Sequence, residues 1–104
     1  NDEHVITAVS SRLEHSHEDV RMAAIMALRE VATKGDELVV TAVSASLRHG
    51  DARVRMAALM ALKEVAEKSD ERVVAACSAL LKDPCAHVRM AARLALKDVF
   101  QIGD

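Results

Sequence analysis

Residues 20–32 read VRMAAIMALREVA, residues 54–66 read VRMAALMALKEVA, and residues 88–100 read VRMAARLALKDVF. The three stretches are spaced 34 residues apart. Outward from each, the preceding half-units start in the same phase, at Asp2, Asp36 and Asp70. A chain that repeats at this interval is built of stacked supersecondary units, none of which can bury its apolar face alone. The expected organisation is one array over residues 1–104, with repeats at about 1–34, 35–68 and 69–102. An open-ended stack points toward a binding scaffold and away from a self-contained enzyme.

The second unit shows how each copy folds. Asp36 follows Gly35 and is placed to cap a helix. Glu37 puts negative charge in the first turn, where the helix dipole favours it. Val39, Val40, Val43 and Leu47 then recur at helical spacing, although valine alone would favour a strand. His49, Gly50 and Asp51 break the pattern. A second helix is expected from near Arg53 to about Lys68, with Val54, Ala57, Ala58, Ala61, Leu62 and Val65 as one apolar stripe. Val20, Ala23, Ala24, Ala27, Leu28 and Val31 form the same stripe in the first unit. Val88, Ala91, Ala92, Ala95, Leu96 and Val99 form it in the third. Each unit is thus an antiparallel helix pair, and Lys34-Gly35 and Lys68-Ser69 join one pair to the next. Pro84 falls in the third turn, where it costs no helix hydrogen bond.

Composition narrows the function. The 104 residues are 51% apolar, yet Phe100 is the one aromatic, so small aliphatic side chains must fill a thin interface. Fourteen basic and sixteen acidic residues give a formal charge of −2, which favours neither nucleic acid nor an acidic membrane as partner. No run is long and apolar enough to cross a bilayer, and no secretory leader is visible. Cys77 takes the core phase of Val9 and Val43. Two cysteines are too few for a disulfide framework, and a reducing, cytoplasmic setting is expected.

A helix pair in which Asp51-Ala52-Arg53-Val54-Arg55 enters an Ala-Ala helix resembles the HEAT repeat, and the short, phycobilisome-lyase-like type is the most similar. Lys82-Asp83-Pro84 ahead of Val88-Arg89 carries the same resemblance in the third unit, while His17 replaces the Asp51 equivalent in the first. The resemblance covers the whole chain. It implies an all-α, right-handed alpha-alpha superhelix of the armadillo-like kind, with three helix pairs and six helices. Tetratricopeptide repeats share the period but need bulky aromatics and a terminal proline that are absent here. Gly103 and Asp104 begin a fourth unit in phase, and no polar capping repeat stands at either end. The chain is therefore expected to be a piece of a longer array. Val5, Ile6 and Val9 at the front, with Leu94, Phe100 and Ile102 at the back, would otherwise lack neighbours and favour self-association.

Little in the chain suggests chemistry. His15 and His49 share one turn phase with His17-Glu18 nearby, and two histidines with a carboxylate can ligate zinc or iron. They lack helical ligand spacing, however, and the third unit has Asp83 in that phase. A HEAT-repeat enzyme, deoxyhypusine hydroxylase, carries His-Glu pairs just after the Val-Arg of its second helices. Here those positions are Met22-Ala23, Met56-Ala57 and Met90-Ala91, so no metal site is implied. A bilin-lyase-like or metal-dependent enzyme remains the alternative reading, on fold-level analogy alone. No catalytic residue and no cofactor are expected. Cys85 near His87 is weak evidence for a nucleophile. Arg21, Arg55 and Arg89 recur in every unit. The resemblance implies a structural ladder in which they bond turn acids and carbonyls.

The candidate site is a surface row. With Val20 at zero on a helical wheel, Arg29 lies opposite the core stripe, Met22 and Met26 flank it, and Glu30 marks the far border. Lys63 with Met56 and Met60, and Lys97 with Met90 and Leu94, repeat the pattern, bordered by Glu64 and Asp98. Ile25 and Leu59 flank the same surface, and Arg93 takes their place in the third unit. Second helices of similar solenoids line the concave side. The expected binding surface is thus Met22, Met26, Arg29, Met56, Met60, Lys63, Met90, Arg93, Leu94 and Lys97. Flexible, polarizable methionines suit an adaptable groove for an amphipathic peptide, helix or partner protein. Nucleic-acid binding through Arg29, Lys63, Arg93 and Lys97 is disfavoured by the missing stacking aromatics and the acidic border.

Overall fold

Valine-rich half-units become helices because capping and packing override valine's weak helix propensity. The computed structural model describes residues 3–31, 36–67 and 70–98. Among them are six α-helices and no strand: α1 (Glu3–Ser11), α2 (Glu18–Val31), α3 (Glu37–Ala45), α4 (Ala52–Val65), α5 (Glu71–Ala79) and α6 (Ala86–Asp98). Asp36 accepts from the Leu38 and Val39 amides at 3.0 and 3.4 Å, and Asp70 does the same for Arg72 and Val73. Asp51 caps α4 through the Arg53 amide at 2.8 Å. Each cap satisfies amides that a helix start leaves open.

Each first helix ends in a single 3₁₀ turn, at Arg12–Glu14, Ser46–Arg48 and Leu80–Lys82. Leu47 therefore leaves the α-helical register expected for it. The tighter turn still carries Leu13 and Leu47 into the core. Helix α4 also ends at Val65 and not near Lys68. Ala66 turns to extended backbone, its amide bonds the Leu62 carbonyl at 2.9 Å, and its methyl is fully buried.

The stripe of α4 is buried over its whole length: Val54, Ala57, Ala58, Ala61, Leu62 and Val65. Ile25 and Leu59 are buried too, which corrects their expected place beside the open surface. Neighbouring units explain this. The second helices α2, α4 and α6 lie directly against one another in sequence order. Stacking thus widens the apolar arc beyond the stripe that faces a helix's own partner. The first helices α1 and α3 also pack together, whereas α3 and α5 make fewer close approaches. The array is a slab of 37 × 29 × 18 Å.

Comparing the same position in successive units shows which face is which. Val5 is 47% exposed, while its equivalents Val39 and Val73 are buried. Val9, Val20 and Ala23 are likewise more open than Val43, Val54 and Ala57. These positions form the leading face, covered by the unit before. Leu13 is fully buried, while Leu81 is 41% exposed. Ile25 and Leu59 are buried, while Arg93 is exposed. These form the trailing face, covered by the unit after. The expected neighbours Phe100 and Ile102, the fourth-unit start at 103–104 and the joints at 34–35 and 68–69 lie outside the described residues.

Candidate functional site

The turn between the helices of each unit is built the same way three times. The arginine two residues into the repeated stretch reaches back and donates to its own turn's carbonyls. Arg21 bonds the His15 and Ser16 oxygens at 2.8 and 3.1 Å. Arg55 bonds those of His49 and Gly50 at 2.8 and 3.0 Å, and Arg89 those of Asp83 and Pro84 at 2.7 and 3.2 Å. The residue sharing the turn phase accepts the amide two positions on. His15 Nδ1 takes the His17 amide, His49 Nδ1 the Asp51 amide and Asp83 Oδ2 the Cys85 amide, at 3.1, 3.0 and 2.8 Å. The phase of the histidines is thus a turn-closing phase. The His15 and His17 rings stack at 5.5 Å, and among the described residues no three metal-ligating side chains converge.

Asp83 does one thing more. Its carboxylate receives Arg55 of the preceding unit in two hydrogen bonds, Nε–Oδ1 at 2.8 Å and Nη2–Oδ2 at 3.0 Å. The pair is largely buried, with side-chain exposures of 13% and 4%. The Arg55 hydrogen bond is the main cause that holds the Asp83 carboxyl below the ordinary carboxylate range, against an opposing push from burial. Arg21 has no such acid ahead of it, because position 49 is histidine. His49→Asp should therefore raise the melting temperature by a few degrees, on the order of 1 kcal/mol for a charge-assisted bond across the first junction. An unchanged melting temperature, or an equal gain in His49→Asp with Arg21→Gln, would refute this.

Cys77 and Cys85 are both free thiols. Cys77 is a core residue, and burial pushes its thiol up to about 11, so it is inert at neutral pH.

On the outer side of the second helices, apolar side chains lie open. Met26 is 56% and Met90 57% exposed, and Met22, Met60 and Leu94 are also exposed. Met56 differs: it is half-buried and packs against the core. Between α2 and α4 this surface dips into a cleft of about 120 Å³, lined by Glu18, Arg21, Met22, Arg53, Met56, Ala57 and Met60. Glu18 and Arg53 were not read from the sequence as site residues. Arg53 is held there by Asp51, which it meets with Nε at 3.2 Å and Nη2 at 2.9 Å. The signal was available, since Arg53 directly follows the capping segment of α4.

An HEAT-repeat family model matches residues 1–63 and again 41–104, so the two matches together span the chain. The chain belongs to the HEAT-repeat family. Neither a curated protein nor a solved structure matches it. HEAT repeats generally mediate protein–protein interaction, and HEAT-repeat proteins are usually non-catalytic scaffolds. Among the described residues no helix is long and apolar enough to cross a membrane.

In this HEAT array the expected basic row is not a separate strip. Arg29 of the first repeat meets Glu64 of the second at 3.5 Å, so acid and base interlock across the junction. Lys63 is half-buried, and Lys97 is exposed. Arg93 stands apart from the row. Its equivalents Ile25 and Leu59 are buried at repeat junctions, which puts it on the trailing face.

Proposed function

We propose that the chain is a non-catalytic protein-interaction module, and that its second-helix surface takes an amphipathic peptide, helix or partner protein. One observation carries this reading: Met22, Met26, Met60, Met90 and Leu94 are exposed in one aligned row, while the core positions beside them are buried. Exposed apolar rows mark interaction surfaces, and methionine adapts to varied partners. The cleft beside Arg53 offers an anchoring point for one apolar side chain. With Arg29 engaged by Glu64, the charge that orients the ligand comes mainly from Lys97 and Lys63, so the partner needs fewer acidic groups than an uninterrupted basic row would select. The module has no cofactor, nucleic-acid or membrane role and works in the reducing cytoplasm, a reading supported by the small charge imbalance and by thiols that are not disulfide-bonded.

The test is selection of helical peptides from an unbiased displayed library, followed by binding to a variant carrying Met26→Ser, Met60→Ser and Leu94→Ser. These exposed positions should each cost within about 0.5 kcal/mol of stability. Binding should fall at least about tenfold with the melting temperature nearly unchanged. Undiminished binding by the triple variant would place the site elsewhere.

A further inference from the structure

Arg21 and Arg55 hold the same place in successive units, yet they are not equally satisfied. Each uses Nη1 for two carbonyls of its own turn. Arg55 then donates from Nε and Nη2 to the Asp83 carboxylate, at 2.8 and 3.0 Å. At the first junction the residue in that phase is His49, and it accepts nothing from Arg21. Its Nδ1 is taken by the Asp51 amide at 3.0 Å, and its Nε2 lies 4.0 Å from a Glu14 oxygen. Nε and Nη2 of Arg21 therefore meet no acceptor among the described residues.

The cation is buried all the same, with only 8% of Arg21 exposed. Burying a charge is costly unless an opposite charge meets it. A held guanidinium with Nε and Nη2 left over is one half of a two-point pair with a carboxylate. Arg21 also lines the cleft between α2 and α4, with Met22 and Met60 as its open apolar members. The second base on the cleft, Arg53, is already ion-paired with Asp51. Glu18 is the one acid among the lining residues. It is exposed, so water and salt screen its charge, whereas the buried charge of Arg21 is screened far less.

We propose that this cleft takes the side-chain carboxylate of an acidic residue from a partner protein. The inference rests on the second-helix surface being the partner's seat. The incoming carboxylate accepts from Nε and Nη2 of Arg21, as Asp83 accepts from Arg55 within the chain. A neighbouring apolar side chain of the partner lies on Met22 and Met60. Glutamine in place of the acid offers a single oxygen and no charge to the two donors, so the cleft discriminates between them. The rung that Asp83 completes at the second junction is thus completed at the first by the partner.

Two blocked tripeptides test this, acetyl-Leu-Glu-Leu-amide and acetyl-Leu-Gln-Leu-amide, each titrated into the full chain to millimolar concentration. NMR follows the arginine Nε–Hε and the methionine methyl signals. The glutamate peptide should shift the Arg21 Nε–Hε signal saturably and bind at least about tenfold tighter than the glutamine peptide. His49→Asp supplies the missing acid within the chain, so the glutamate preference should fall to about twofold or less, with glutamine-peptide binding unchanged. His49→Asn keeps a turn-closing acceptor without the charge and should keep the preference. Circular dichroism checks that both variants stay helical, and the parent's preference and Arg21 shift stand as a test without them. Equal binding of the two peptides that moves Met22 and Met60 but not Arg21 would overturn the carboxylate site and leave the methionine surface standing. An undiminished glutamate preference in helical His49→Asp would overturn it too. If neither peptide moves Arg21, Met22 or Met60, the surface reading falls with it.

Discussion

Leu59→Arg is expected to abolish the folded array. Leu59 is fully buried at the junction between the second and third units. The substitution removes an apolar side chain worth about 2 kcal/mol of burial and puts a charge at a fully buried position. Together these should exceed about 4 kcal/mol, a large share of the 5–15 kcal/mol typical of a domain. The third unit carries this very residue type at the equivalent position, Arg93, where the side chain is exposed. Thermal and urea unfolding followed by circular dichroism check the prediction. A Leu59→Arg chain that melts like the parent would mean that the units do not stack through this position. Arg93→Leu, in contrast, should leave the helical signal intact.

Asp83→Ala should be the next most damaging change, costing about 3 kcal/mol. It removes both hydrogen bonds from Arg55, leaves that guanidinium largely buried without its acid, and deprives the Cys85 amide of its acceptor. Asp83→Asn keeps an acceptor for the amide and should fall between. The pH dependence has a definite sign. The Asp83 carboxyl is lowered in the folded state, chiefly by the Arg55 hydrogen bond. Its stabilisation is therefore fully present above the ordinary carboxylate value near 4, and is lost as pH falls from there through the folded value. The urea midpoint of the parent should drop on acidification through this range, and Asp83→Asn should flatten the drop. Some slope should persist, because Arg72 lowers Glu37 and Asp70 as well, and Arg53 holds Asp51 down at about 2. Glu37 and Asp51 are more open to solvent than Asp83, so their share is screened by water and salt. An equally steep acid loss in Asp83→Asn would show that the rung between the second and third units contributes little.

The period, the cap at Asp36, and the Ala-Leu-Val stripe of the second helices were legible because they follow from local rules of capping and helical spacing; Asp51, read as a turn residue, also proves to cap α4. What a helix buries against its neighbour in the next unit was harder to read. Ile25 and Leu59 lie past the edge of the stripe on a wheel, and only stacking of whole units covers them. The third unit differs at that position, with an exposed Arg93 in place of an apolar residue. The ladder arginines were legible as structural residues, but the matching role of His15 and His49 was not. A turn-closing imidazole and a turn-closing carboxylate share no composition signal. In the candidate surface the apolar row could be read from spacing. The half-burial of Met56 and the interlock of Arg29 with Glu64 could not, since both depend on how far one unit is shifted against the next.

The central claim is that the methionine row is the surface on which a partner lies. Five methionines make the chain its own reporter. The most direct measurement is carbon-13 methyl NMR of chain labelled at its methionine, valine and alanine methyls during titration with a library-selected peptide. Met26 and Met90, the most open, should shift together with Met22 and Met60 and saturate at one dissociation constant. Met56, already packed against the core, should move less. Saturable binding that leaves all five methyl signals in place, while the leading-face methyls of Val5, Val9 and Ala23 respond, would contradict the account.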